Sequence, residues 1–205
     1  MAVNRWVAGG FALIMVTQSR VRAIDIDVTD ADIQRATAIA TGRKDLRGQF
    51  HAPYILPVSD PTVERAEVIT EFRRFVLASE EHAARGNWMV ARGGHDAKRR
   101  TLKDMLEHWR GQVAIRVAVR FHPQHSYAAL PPIDILPGEP TFPALDAVRT
   151  PLTALMPDGL TTFMTGAIVE TTFDAQPFYD RELPVRVVFD GKEVVRLLAD
   201  FAVFE

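Results

Sequence analysis

The sequence predicts an α+β fold, with N-terminal helices packed against a mainly antiparallel C-terminal β-sheet or sandwich. Three observations carry that expectation. Prolines fall at 53, 57 and 61, none lies in 62–122, and the other ten of the thirteen lie from 123 onward. Proline is excluded from helix interiors and confined to strand edges and bends, so helices belong before 122 and bend-rich sheet after it. Two segments of the first half also carry capping-box patterns, and the longest apolar alternation starts at Val113.

Residues 1–23 are set apart from the folding argument. A short basic start, Met1 to Arg5, precedes the apolar run Trp6 to Val16, which is the anatomy of a secretory signal peptide. Eleven residues are too few to cross a bilayer, which needs about 20. Cleavage is expected after Ala23, with Ser19 as the alternative; an uncleaved anchor or a buried N-terminal helix is the competing reading. Residues 24–205 then form a single α+β domain, helical over about 29–110 and β over about 112–205, exported to the periplasm or the exterior, with no stable membrane span after cleavage.

The first helix is expected at 29–41. Thr29 with Asp32 makes a capping box, Ile33, Ala36 and Ala40 share a face, and Gly42 supplies a left-handed terminating residue. The charged tail 43–47 leads into "HAPYILPVSDP", whose spaced prolines favour an extended path. Between 62 and 85 the pattern predicts a strand-like start and a helix from about Phe72 to Arg85, stopped by Gly86. A link at 92–96 precedes a helix capped by Thr101 and Asp104, with Leu102, Met105, Leu106 and Trp109 on one face and Trp109 in the core.

The clearest strand is 113–121, with Val113, Ile115, Val117, Val119 and Phe121 on one face and Ala114, Arg116, Ala118 and Arg120 on the other. Pro131 and Pro132 confine the next strand to an edge or bend. Residues 137–162 read as a proline-punctuated connection turning at 157–159, and 166–173 as another strand. The last two strands, 183–189 and 193–201, flank Asp190-Gly191. A two-residue turn with regular pairing would set Val185 and Val187 on the face opposite to Val195, Leu197 and Ala199. A longer loop with its glycine in a bulged turn, pairing Val185 with Val195 for example, is therefore expected.

Removing 1–23 takes away three arginines and no acid, leaving 21 basic against 26 acidic side chains and a net charge of −5. A nucleic-acid binder carries an excess of Lys and Arg on one face, so no nucleic-acid partner is expected. The absence of cysteine excludes disulfides, thiolate catalysis and thiolate metal sites. There is no nucleophile elbow, phosphate loop, dinucleotide glycine pattern, calcium loop or His-Glu-x-x-His motif, and no cofactor is implied.

Two histidines stand three apart in "RFHPQHSY". His122 continues the strand alternation onto the Arg116/Arg120 face, and Pro123 turns the backbone there. Arg116, Arg120, His122 and His125 are accordingly the candidate ligand-binding residues: the arginine fork suits carboxylates and phosphates. Set against this is an exposed strand face whose arginine stems cover apolar surface. A metal reading would gather His95, beside Asp96, with His122 and His125, since a catalytic zinc site takes three protein ligands. His82 and His108 are expected to face solvent and His51 to lie in an extended segment; Glu170 and Asp174 are read as solubilising charges. The expected role is an exported binding or interaction protein with an unidentified ligand or protein partner and no catalytic set. The alternatives are a metal-assisted hydrolase and a subunit of a cell-envelope assembly engaging a partner through a strand edge.

Overall fold

A computed structural model describes residues 28–84, 107–122, 127–156, 159–179 and 181–204. Among these described residues, three α-helices lie in the N-terminal half: α1 (Asp30–Thr41), α2 (Lys44–His51) and α3 (Glu71–Ala84). Eight strands follow or intervene: β1 (Ile55–Leu56), β2 (Val63–Ile69), β3 (Gln112–Arg120), β4 (Ile133–Pro137), β5 (Asp146–Leu155), β6 (Thr162–Asp174), β7 (Glu182–Phe189) and β8 (Lys192–Asp200). They form a five-stranded sheet, β1-β2-β3-β6-β5, and a three-stranded sheet, β4-β7-β8, with every neighbouring pair antiparallel. The α+β class is as the proline distribution predicts, although β1 and β2 come from within the span expected to be helical.

The two sheets share one core. Val117, Val119 and Val169 of the larger sheet belong to the same buried cluster as Ile135, Val187 and Leu197 of the smaller. A second, smaller cluster joins α1 to α3 through Ile33, Ala36, Phe72, Phe75 and Val76. Burial of the alternate β3 residues explains the strength of the strand signal. On the other face Ala114 is also fully buried, because the helical layer covers that end of the sheet, whereas Arg120 is exposed.

The capping box of α1 forms in full: Thr29 Oγ1 accepts from the Asp32 N–H, and Asp32 Oδ2 accepts from the Thr29 N–H at 2.9 Å. Gly42, however, is extended (φ −68°, ψ 176°) instead of left-handed. It is needed for space: a Cβ there would stand 3.0 Å from the Ile39 carbonyl oxygen. The charged tail is helical as α2, so 44–51 is not extended; the first prolines end that helix and do not govern what precedes them. The strand-to-helix switch falls at Thr70, one residue before α3. Gly86, the link and residues 101–106 lie outside the described residues, and the end of the third expected helix is a 3-10 turn at Glu107–Trp109. Trp109 is half-buried, packed against the helical cluster under the Arg74 guanidinium at 3.6 Å.

The 137–162 connection is instead mostly sheet. β5 runs ten residues along the edge of the larger sheet, with Pro151 tolerated because an edge strand leaves one side unpaired. In the final hairpin Asp190 (φ 50°) and Gly191 (φ 75°) form the tight two-residue turn, with Phe189 opposite Lys192. The register shifts inside the strands, so that Val187 meets Val195 and Val185 meets Leu197. The aligned apolar faces are as expected, but the extra residue is Val194 within β8 and the turn stays ideal.

Among the described residues no helix is long and apolar enough to cross a membrane. The signal-peptide expectation concerns residues 1–23, which lie outside the described set.

Candidate functional site

Arg116 and Arg120 share a face of β3 but stand four residues, about 13 Å, apart along it. Their surroundings differ. Register places Glu67 of β2 and Glu170 of β6 on either side of Arg116. Arg116 donates to Glu170 Oε2 through Nε and Nη2 at 2.9 and 2.6 Å, and reaches Glu67 Oε1 through Nη1 at 3.4 Å. Two arginines of α3 close on the same carboxylates: Arg74 donates twice to Glu170 at 3.1 Å, and Arg73 to Glu67 at 2.5 Å. Arg73 is 1% exposed and also donates to the Val68 carbonyl.

This cluster fastens α3 to the sheet. Burial by itself would raise the Glu67 carboxyl, but attraction and hydrogen bonds from Arg73 and Arg65 outweigh it and hold the group below its ordinary range. Burial likewise lowers the Arg73 and Arg74 guanidiniums, with Glu67 and Glu170 opposing that effect. Glu170 is thus an internal counter-ion and not a solubilising charge. Asp174 stays exposed and accepts from the Gln176 N–H in a turn. His51 ends α2, outside any extended segment: its Nδ1 accepts from Arg73 Nε at 3.4 Å and its Nε2 lies 3.1 Å from Glu80 Oε1.

Arg120 and His122 lie at the other end of β3, where the sandwich opens. A cleft of about 440 Å³ is lined there by Thr62, Arg120, His122, Tyr127 and Phe189, with Phe121 at its base. Its three aromatic rings touch one another: Phe121 to Tyr127 at 4.7 Å between centroids, Phe121 to Phe189 at 5.8 Å and Tyr127 to Phe189 at 6.2 Å. A second cleft of about 400 Å³ lies across Arg120–His122, with Glu64, Leu152, Phe163 and Met164 in its walls. Arg120 Nη2 donates to Glu64 Oε1 at 2.9 Å; both side chains are more than half exposed, so the pair is weak.

The structure therefore brings Arg120 and His122 together at a cleft and engages Arg116 elsewhere. His125, and His95 with Asp96, lie outside the described residues, so the three-histidine arrangement has only His122 within them. Among the described residues no group of three or more His, Cys, Asp or Glu side chains is gathered as metal ligands. His108 is exposed beside Trp109, and His82 is half-buried on α3.

Tyr127, Phe189 and Thr62, with Pro61 and Val194, are cleft residues that sequence reasoning missed. Phe189 carried a signal, because its alternation with Val185 and Val187 aims it inward. Tyr127 and Thr62 gave none, since only the packing of separate segments brings them to the end of β3. Compared with known proteins, the chain matches no family model, no curated protein and no solved structure. Fold and site together define a two-sheet α+β protein with an aromatic cleft lined in part by Arg120 and His122.

Proposed function

We propose that the protein is an exported binding protein that holds a small ligand in the cleft at the end of β3. One observation carries the reading: three aromatic rings, with Arg120 and His122 beside them, line a concave space of about 440 Å³. Small-molecule sites typically occupy roughly 300–1,000 Å³, lined by apolar and aromatic groups with a few polar ones that set orientation. Export to the periplasm or exterior rests on the basic start and apolar run of residues 1–16.

Native mass spectrometry of the protein recovered from its own compartment tests the binding reading. A non-covalent adduct is expected on the native protein and is expected to be lost from a folded Arg120→Ala/Phe189→Ala double variant. A clean ligand-free mass, or an adduct that survives both substitutions, contradicts it.

A second reading, a subunit of a cell-envelope assembly, is favoured by a separate observation. The outer edge of β5 has no neighbour among the described strands, and Leu155, Met156, Leu160 and Phe163 at that hairpin are exposed, Leu160 to 89%. An open edge with apolar side chains is a template for pairing with another chain.

A further inference from the structure

The hairpin of β5 and β6 outruns the sheet it belongs to. Going beyond both readings above, we infer that its free end is a peripheral membrane anchor, an apolar arm that enters the headgroup layer of a zwitterionic lipid surface.

β3 ends at Arg120, opposite Gly166, with one further bond from the Phe121 N–H to the Thr165 carbonyl. β5 and β6 continue past it through three more cross-strand pairs, Thr153 with Met164, Ala154 with Phe163 and Leu155 with Thr162, before the Met156 N–H closes on the Thr161 carbonyl. At about 3.4 Å per residue the arm reaches roughly 10 Å beyond the end of β3. Its side chains are unlike the rest of the surface. Ten large apolar side chains are exposed among the described residues, and four of them, Leu155, Met156, Leu160 and Phe163, fall within nine consecutive positions. Over 150–169 the one charged residue is Asp158, in a chain that is 24% charged. A two-stranded hairpin without a third strand is marginal in water, and an exposed apolar patch of this kind marks a contact surface.

The distribution over both faces names what covers the arm. Directly opposed residues share a face and successive residues alternate, so Leu155, opposite Thr162, lies on one face and Phe163, opposite Ala154, on the other. Leu160, 89% exposed, lies in the connecting turn. A docked protein surface covers one face and leaves the other wet, and a strand added along the β5 edge covers neither. A lipid surface surrounds both faces and the turn at once. Depth follows from the backbone. The outer edge of β5 carries N–H and C=O groups with no neighbouring strand among the described residues, and lipid chains cannot satisfy them. The arm therefore stops about 5–10 Å deep, at the boundary of headgroups and acyl chains, where those groups stay hydrated. The lipid class follows from charge. Residues 150–169 hold no Lys or Arg, and 24–205 carry 26 acids against 21 bases, so the arm does not recruit anionic headgroups and the domain as a whole is repelled by them.

The test is co-sedimentation of the protein recovered from its own compartment with phosphatidylcholine vesicles. Reversible binding is expected, undiminished by added salt and no stronger when phosphatidylglycerol is mixed in. Leu155→Ser with Leu160→Ser is expected to weaken it tenfold or more, and Asp158→Asn, which removes the arm's one charge, to strengthen it. Both leucines are more than half exposed, so unaltered thermal unfolding of the double variant checks that it folds. The chain has no cysteine, which allows a polarity-sensitive fluorophore to be placed singly through Thr162→Cys on one face, Ala154→Cys on the other and Leu46→Cys on α2. Blue shifts of its emission on adding vesicles are expected at 154 and 162 and not at 46. No co-sedimentation, binding that needs anionic lipid, binding that survives the double substitution, or a shift on one face only overturns the inference. Self-association without lipid that the same two substitutions abolish assigns the arm to a second copy and overturns it too. The cleft reading stands or falls separately, on the adduct recovered from the native protein.

Discussion

Arg116 and Arg120 are alike in the sequence and unlike in the fold, because register sets Arg116 between two carboxylates that α3 also engages and leaves Arg120 on one exposed carboxylate beside a cleft. Their shared face was legible from period-two alternation alone. Which of them remains available was not, since Glu67 lies 49 residues and Glu170 54 residues from Arg116 along the chain. The charge cluster has a consequence at acid pH. Glu67 has its carboxyl held below the unfolded value, so its contribution is full above about pH 4.5 and is lost as pH falls through its lower folded value. Acid titration of unfolding free energy is expected to decline across that range, and Glu67→Gln to flatten the decline. At neutral pH the same substitution leaves Arg73 buried without its counter-ion and is expected to cost about 3–5 kcal/mol in urea unfolding. An acid profile identical in native and substituted proteins would show that the cluster does not hold α3 to the sheet.

At the scale of elements, signals local to one segment were readable and signals set by distant packing were not. The Thr29 box, the β3 alternation and the β2-to-α3 switch are written in residues one to four apart, and each appears within a residue or two of its expected place. The β5 strand was hidden because it is an edge: most of its residues are exposed, so the hydrophobic pattern that marks a half-buried strand is absent, and Pro151 argued for a loop. The last hairpin shows two local rules at once. Asp190-Gly191 keeps the tight turn, and Val194 takes up the odd residue that aligned apolar faces demand. β5 also supplies the test of the subunit reading. Light scattering coupled to size-exclusion chromatography is expected to show concentration-dependent association if that edge pairs with a second copy, and Leu155→Lys with Phe163→Lys is expected to abolish it. A monomer at every concentration removes self-association through β5.

For the whole molecule, the α+β class followed from where proline is permitted, and alternation predicted antiparallel strands while leaving one sheet or a sandwich open; the two-sheet arrangement is set by packing. The candidate site did not follow in the same way. A cleft is a property of how elements end relative to one another, and here the ends of β3, β7 and the segment around Tyr127 converge. Sequence could nominate Arg120 and His122 as polar residues leaving a strong strand; it could not supply the aromatic wall opposite them. The account's central claim is that this end of the sandwich holds the ligand. Backbone amide NMR of the protein titrated with its recovered ligand tests it most directly. The account predicts that the largest shifts map to Thr62, Arg120, Phe121, His122, Tyr127 and Phe189. Shifts confined to α3 and the Glu67–Arg73 cluster, or to β5, with those six residues silent, would contradict it.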